Sequence, residues 1–253
     1  MTDLATPQII VFTDLDDSLF QTRRKCSGEG ISPAAYSQRG EPISFHTPQQ
    51  RGLMTLLSNA CLIPVTGRSS AALTRVTSVT WSSYRVVSHG AMILDLSGAP
   101  LKSWLDLIED EIVSWSPRLR RAHEYVERWV ARWSAAQELP ITDPIRIKMT
   151  RENDLEVYLS IKGPREALLE LKSSLSELWS GGTIHHNDRN MALLPSYASK
   201  ARAVAHLREI ITGDTPPPLF IGIGDSISDL PFLRQCHFAL TPQHSQIHQE
   251  LWQ

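Results

Sequence analysis

Two aspartates follow the first apolar segment of the sequence. Gln8 to Thr13 is an apolar, β-branched run without alternation, which is typical of a strand buried on both faces of a parallel sheet. Asp14 and Asp16 come directly after it, at the end of the strand where such sheets bind ligands. One carboxylate could serve as a nucleophile and the other as a general acid and base. A solvated acidic turn is the alternative that this motif alone leaves open.

A hydroxyl and a glycine end the next apolar run, Leu62 to Thr66. Thr66 and Gly67 lie just before a helical pattern that begins at Ser69. A hydroxyl and free backbone N–H groups at a strand-to-helix turn suit the oxygens of a phosphate. An ordinary helix cap is the alternative, because Ser and Thr favour that position.

Two more aspartates follow the last apolar run, Leu219 to Ile223. Asp225 and Asp229 are four residues apart, so a helical turn would place both on one face. Mg²⁺ takes oxygen ligands and commonly only one or two carboxylates from the protein. Asp14 and Asp225, at two neighbouring strand ends, meet that requirement.

Lys200 begins another predicted helix, which extends to Thr212. A cation at a helix N-terminus opposes the helix dipole. A functional role could explain this placement, and a solvated surface lysine, the commoner case, is the alternative.

The elements between these motifs predict an α/β fold. A further apolar run at Tyr84 to Ser88 and helical patterns at Thr47 to Asn59 and Ser69 to Val79 alternate with the segments above. Strands that alternate with helices favour a parallel sheet. The connection at Gln21 to His46 has little periodicity and could cover the site, since connections of this length are often functional.

The middle of the chain has a different pattern. It predicts a helical stretch that Pro117 breaks in two, a hairpin, a further helix and a strand pair, at Leu105 to Glu138, Ile145 to Ile161, Pro164 to Trp179 and Thr183 to Leu194. Helices on one side of an antiparallel sheet form an α+β unit. We therefore predict a core domain at residues 1–91 and 191–253 and an inserted domain at residues 92–190.

Charge and cysteine content narrow the class of protein. The formal net charge is −2, so no basic excess indicates a nucleic-acid or membrane partner. Three widely spaced cysteines and a polar N-terminus without a secretory pattern favour a cytoplasmic protein with reduced thiols.

Together these residues resemble the four motifs of the haloacid dehalogenase (HAD) superfamily of phosphatases. The matches are D-x-D-x-[ST] at Asp14 to Ser18, a hydroxyl at Thr66, a lysine at Lys200 and G-D-x-x-x-D at Gly224 to Asp229. The insert lies between the second and third motifs, where the large type IIB caps of the superfamily occur. Thr-Gly-Arg-Ser and Leu-Pro before the lysine are most similar to the branch of sucrose-phosphate, trehalose-phosphate and mannosylglycerate-phosphate phosphatases.

The resemblance implies a Rossmann-like core with an inserted α+β cap. It also implies a Mg²⁺-dependent phosphomonoester hydrolase that acts on a small phosphorylated metabolite, expected to be a sugar phosphate. In the family mechanism Asp14 forms an aspartyl-phosphate, and Asp16 is the general acid and base. Thr66, Gly67 and Lys200 would hold the phosphoryl oxygens.

The same resemblance implies a metal site. Mg²⁺ would be bound by the carboxylates of Asp14 and Asp225 and by the backbone carbonyl of Asp16. Asp229 would orient Lys200 or a metal-bound water.

Substrate choice is expected to depend on the cap. Arg146 and Lys148 share one face of a predicted strand, and Asn187 lies among further polar residues of the insert. His89 replaces an asparagine that many relatives have near the cap junction, so it is a further candidate. A solvated face is the alternative for the residues of the insert.

Two other classes of function stay open at this point. A phosphosugar mutase shares this core and cap, and a catalytically silent binding protein could use the same fold. The sequence leaves the oligomeric state open.

Overall fold

The computed structural model describes residues 8–137, 143–213 and 218–251. Its strands are β1 Ile9–Thr13, β2 Gln21–Thr22, β3 Ser32–Tyr36, β4 Pro42–His46, β5 Cys61–Pro64, β6 Arg85–Val87, β7 Met92–Leu94, β8 Arg146–Glu152, β9 Leu155–Lys162, β10 Thr183–Asn187, β11 Asn190–Leu194, β12 Leu219–Ile223 and β13 Phe238–Leu240. Its α-helices are α1 Pro48–Leu56, α2 Ser70–Leu73, α3 Lys102–Ala135, α4 Arg165–Leu175, α5 Lys200–Ile211, α6 Leu230–Leu233 and α7 Gln246–Leu251.

A parallel sheet in the order β13-β12-β1-β5 forms the centre of the first unit. The central strand β1 is buried from Ile10 to Thr13, as its unbroken apolar pattern predicts. The ends of β1 and β12 lie side by side, because Thr13 pairs with Ile223. The predicted α/β class is therefore confirmed, and the motifs after these two strands meet at one edge of the sheet.

The run at Tyr84 to Ser88 was expected to be another strand of the parallel sheet. It forms β6, but β6 pairs antiparallel with β7 and reaches the sheet through a single parallel bridge, Val65 to Val86. A tight turn at Ser88–Gly90 reverses the chain, so the segment continues the sheet through Val86 before it turns back.

The long connection after β1 folds into a three-stranded sheet in the order β2-β4-β3. Ala34, Ala35 and Ser44 of this small sheet are buried. The ring of His46, at the end of β4, makes a 2.8 Å hydrogen bond with the backbone oxygen of Leu19. The connection is therefore an ordered part of the first unit.

The inserted unit has its own antiparallel sheet, in the order β10-β11-β9-β8. The predicted hairpin is confirmed as β8 and β9, with Asn153 in the left-handed conformation at the turn (φ 52°). The predicted strand pair is confirmed as β10 and β11.

The predicted break at Pro117 is wrong. Helix α3 runs through this proline without interruption for 34 residues. The proline removes one backbone hydrogen bond and costs roughly 3 kcal/mol in a helix interior. Burial of one face on both sides of the proline offsets that cost, and the buried residues are Ile108, Trp115, Leu119, Ala122, Val126 and Trp129.

The chain divides into two compact units, Met1–Trp104 with Ser199–Gln253 and Leu105–Ala198. The breaks lie later than the sequence placed them, which was after residues 91 and 190. Strand pairing explains both shifts, because β7 pairs with β6 of the first unit and β11 pairs with β9 of the second.

Among the described residues, no helix combines the length and the apolar character needed to cross a membrane. The three cysteines, Cys26, Cys61 and Cys236, are free thiols.

Candidate active site

Asp14, Lys200 and Asp229 form a buried ionic cluster at the edge of the parallel sheet. Asp14 follows β1, and its backbone N–H donates to Ile223 at 2.8 Å. Lys200 begins α5 behind the cap of Ser199. Its Nζ donates to Asp14 Oδ1 and to Asp229 Oδ1, each at 2.7 Å. A lysine that opposes the helix dipole is thus placed between two carboxylates.

The turn after β12 fixes Asp229. Its Oδ2 accepts hydrogen bonds from the backbone N–H of Asp225 at 3.3 Å and from Ser226, through N–H at 3.1 Å and Oγ at 2.8 Å. Gly224 is required here, because a Cβ at this position would come within 2.7 Å of the Asp229 Cβ. Both oxygens of Asp229 are therefore committed to protein donors.

Three carboxylates could hold a metal ion. Oxygens of Asp14, Asp225 and Asp229 lie within 4.8 Å of one another. Because both Asp229 oxygens accept hydrogen bonds from the protein, Asp14 and Asp225 are the better ligands. Carboxylate oxygens are hard ligands of the kind that Mg²⁺ binds.

The electrostatics of the cluster also favour a cation. Burial, more than the charges of Asp229 and Asp17, raises the pKa of Asp225 to about 7. Burial also raises the pKa of Asp14 well above its ordinary value, and Lys200 opposes this rise only in part. The protein thus provides less positive charge than these two carboxylates require.

The pKa values of Asp229 and Lys200 depend on each other. Burial raises the pKa of Asp229, but the charge and hydrogen bond of Lys200 outweigh it and lower the pKa below its ordinary value. Burial likewise lowers the pKa of Lys200, but the charges of Asp14 and Asp229 raise it above the usual range. Lys200 therefore stays protonated at every physiological pH.

Asp16 makes an ion pair that the sequence did not reveal. Arg68 donates from Nε to Asp16 Oδ2 at 2.7 Å and from Nη2 to Asp16 Oδ1 at 2.6 Å. Arg68 belongs to the Thr-Gly-Arg-Ser segment, but its partner is 52 residues away in sequence. No local pattern could have identified this pair.

Thr66, Gly67 and His89 lie together beside this pair. Thr66 is buried, and its Oγ1 accepts a hydrogen bond from the backbone N–H of Arg68 at 3.1 Å. The His89 ring packs so close to Gly67 that a Cβ there would come within 2.5 Å of it. His89 has a left-handed backbone (φ 59°), and its N–H donates to Thr66 O at 2.9 Å.

The candidates of the inserted unit share one face of its sheet and lie at the exposed end of that face. Directly paired residues of neighbouring strands form an exposed row across the whole sheet, which consists of Arg146, Lys162, Asn190 and Asn187. Lys148 lies on the same face, two residues along β8. Sequence reasoning missed Lys162 and Asn190, because only the strand register reveals their place in the row.

Neither the protein-family models nor the curated proteins contain a match to this sequence. Solved structures match over nearly the whole chain. The sucrose-phosphatase from Synechocystis, solved with sucrose and phosphate, has 15% identity and a TM-score of 0.55, covering 98% of this chain and 87% of that one. The C-terminal domain of the trehalose-6-phosphate phosphatase from C. albicans has 15% identity and a TM-score of 0.56, covering 90% and 73%.

A haloacid dehalogenase-like hydrolase from B. subtilis is also similar, at 10% identity and a TM-score of 0.53, covering 92% of this chain and 88% of that one. The chain therefore has the fold of the haloacid dehalogenase-like hydrolases. The resemblance that the four motifs indicated is confirmed at the level of the fold.

Proposed function

We propose that this protein is a Mg²⁺-dependent phosphomonoester hydrolase that acts on a small phosphorylated metabolite through an aspartyl-phosphate intermediate. The observation that carries the proposal is the geometry of Asp14. This carboxylate is buried at the end of the central strand, paired with Lys200 at 2.7 Å and close to Asp225. A sugar phosphate is the proposed substrate, because two solved structures with a similar fold are a sucrose-phosphatase and a trehalose-6-phosphate phosphatase.

The proposed chemistry has two steps. Asp14 attacks phosphorus, the bond to the leaving oxygen breaks, and Asp16 gives that oxygen a proton. A water then attacks phosphorus, Asp16 takes its proton, and the bond between Asp14 and phosphorus breaks to release phosphate.

Positive and polar groups of the core would hold the phosphoryl oxygens. Lys200 spends two of its three N–H donors on Asp14 and Asp229, which leaves the third for the substrate. The Thr66 hydroxyl and the Gly67 N–H are the other proposed donors. Mg²⁺, held by Asp14, Asp225 and the Asp16 carbonyl, would reduce the repulsion between phosphate and carboxylates.

We expect phosphate release from sugar phosphates to require Mg²⁺. A panel of phosphorylated metabolites should show release with Mg²⁺, none with excess chelator, and inhibition by Ca²⁺, which prefers more ligands and a looser geometry. Inorganic phosphate is the product to measure. Undiminished release in excess chelator would contradict the metal assignment.

Binding of Mg²⁺ to this site can also be measured without a substrate. Mg²⁺ should raise the unfolding temperature of the wild type, because a ligand that binds only the folded state stabilises it. Asp225→Asn should lose most of this rise, while the exposed Asp154→Asn should keep it. A full rise with Asp225→Asn would place the ion elsewhere.

Specificity for the leaving part is proposed to depend on the exposed end of this sheet face in the inserted unit. Arg146→Ala, Lys148→Ala and Asn187→Ala should each lower kcat/KM for the preferred sugar phosphate by about 10-fold or more, since each loses a contact to substrate hydroxyls or charges. Hydrolysis of p-nitrophenyl phosphate should change little.

Arg165→Ala, an exposed arginine of α4, is the matched control and should leave both substrates unaffected. Equal losses on both esters, or none, would show that specificity lies on another element. His89, beside Gly67, would then be the first candidate of the core. A cytoplasmic location and the lack of nucleic-acid and membrane partners stay predictions from the sequence.

A further inference from the structure

We propose that Arg68 is a positioning residue for Asp16, and that the three-stranded sheet β2-β4-β3 holds Arg68 in place for this role. The proposal rests on the proposed function, in which Asp16 transfers the protons. It assigns a purpose to the long connection after β1 and to an arginine outside the phosphate-binding set.

The first observation is the shape of the ion pair. Two parallel hydrogen bonds, at 2.7 and 2.6 Å, join the guanidinium edge to both oxygens of the Asp16 carboxylate. A fork of this kind fixes the plane and the direction of a carboxylate, which a single lysine bond does not. The Asp16 side chain is 48% exposed and the Arg68 side chain 15%, so the arginine is the anchored partner.

The second observation is what anchors Arg68. Its Nη2 also donates to Ser44 Oγ at 3.2 Å, and Ser44 is a buried residue of β4. The guanidinium carbon lies 5.1 Å from the ring centre of Phe20, which is fully buried just before β2. The backbone is held too, because Arg68 O accepts from Ser88 N at 2.8 Å.

The backbone of Asp16 is held by an isolated bridge to Phe20, but among the described residues its side chain has no partner other than Arg68. Asp16 follows β1 on a turn whose next residue, Asp17, has a left-handed backbone (φ 63°). An exposed carboxylate on such a turn would sample several rotamers without a partner. Arg68 therefore restricts Asp16 to one orientation, and a misplacement of about 1 Å can cost about 100-fold in rate.

A two-bond fork is compatible with proton transfer. When Asp16 carries the proton, one oxygen is committed to that proton while the other can still accept from Arg68. When Asp16 is ionised, both oxygens accept, as in the structure. The carboxyl group thus keeps its orientation in both steps of the proposed reaction.

The test uses the whole 253-residue chain with Mg²⁺ and p-nitrophenyl phosphate. Its leaving group needs little help from an acid, so attack by Asp14 should survive in Arg68→Met as a burst of about one p-nitrophenolate per active site. Steady turnover should then fall by about 100-fold with little change in KM, because water attack depends on a positioned Asp16. Arg68→Lys should fall between Arg68→Met and wild type.

The decisive measurement is the effect of Arg68→Met in a protein that already carries Asp16→Asn. A residue that acts only through Asp16 should have no further effect there, so Arg68→Met/Asp16→Asn should turn over no more slowly than Asp16→Asn. An equal fractional loss in both backgrounds, or a loss confined to KM, would overturn the positioning role.

Arg51→Met is the matched control. Arg51 also contacts the connection after β1, donating to Gly30 O at 2.5 Å and Ser32 Oγ at 3.3 Å, but it does not contact Asp16. It should retain wild-type turnover, and an Arg51→Met loss as large as that of Arg68→Met would overturn the role.

The outcomes separate this inference from the proposed function. A wild type inactive on the whole panel would overturn the function, whereas an active wild type with an unaffected Arg68→Met would overturn only the positioning role. The unfolding temperatures of Arg68→Met, Asp16→Asn and the double variant test the contact without any substrate. Additive shifts would contradict the ion pair.

Discussion

Replacing Asp14 by asparagine is expected to abolish phosphate release from a folded protein. The amide keeps the shape of the side chain and an oxygen that can accept from Lys200, but it is not a nucleophile. Turnover should fall by at least about 10⁴-fold, as it does when a nucleophile is removed from a group of residues that act as a unit. Phosphate release from p-nitrophenyl phosphate and from the preferred sugar phosphate would measure the loss.

Two controls make the result decisive. Asp14→Ala excludes activity that returns by deamidation of the asparagine to aspartate. Circular dichroism and the unfolding temperature of both variants establish that the sheet edge remains folded. Near-normal release from folded Asp14→Ala would show that another group attacks phosphorus.

Much of this site could be predicted because its signals are local. The apolar runs before Asp14 and Asp225 are short, unbroken patterns, and they form β1 and β12 almost residue for residue. The start of α5 is equally local, since Ser199 caps it and accepts from Arg202 N at 3.3 Å. Strand ends in a parallel sheet share one edge, so the sequence also predicts which motifs meet.

There is a physical reason why the strands of the connection after β1 could not be predicted from the sequence. Pro33 and Pro42 interrupt any strand pattern, and both are tolerated only through their positions in the sheet. Pro33 lies on the edge strand β3, and Pro42 is the first residue of β4. Those positions depend on strand order, which no local pattern specifies.

Long-range contacts account for the other differences. Whether Pro117 breaks a helix depends on how much apolar surface is buried on each side of it, which is a property of packing. The pair of Arg68 and Asp16 joins two separate motif segments. The spacing within each segment is unaffected by this pair, so the sequence contains no trace of it.

Replacing Lys200 by methionine is expected to have the largest effect on stability. Methionine fits the aliphatic stem but leaves Asp14 and Asp229 buried without the cation that contacts both at 2.7 Å. Breaking a buried ion pair in this way typically costs about 3–5 kcal/mol. For a chain of this size that corresponds to roughly 10 °C in unfolding temperature. The unfolding temperature should be measured in excess chelator, because a divalent ion could replace part of the missing charge.

The way in which the destabilisation by Lys200→Met depends on pH identifies its cause. In the wild type the pKa of Asp229 is lowered by Lys200, so its contribution to stability is present above its ordinary value of 3.8 and is lost as the pH falls. Without Lys200, the pKa of Asp229 loses the two Lys200 influences that lower it, and the pKa of Asp14, which burial already raises, loses the charge that opposes this rise. Both carboxylates are then harder to ionise in the folded state, so the destabilisation grows as the pH rises.

The difference in free energy of unfolding between wild type and Lys200→Met should therefore be smallest near the acid end and grow toward neutral pH. Urea titrations at several pH values between about 4 and 8 would measure it directly. Lys172→Met, which removes an exposed lysine from α4, is the matched control for the loss of one positive charge. A penalty that does not change with pH, or one that Lys172→Met reproduces, would show that Lys200 stabilises the fold by packing rather than by its charge on Asp14 and Asp229.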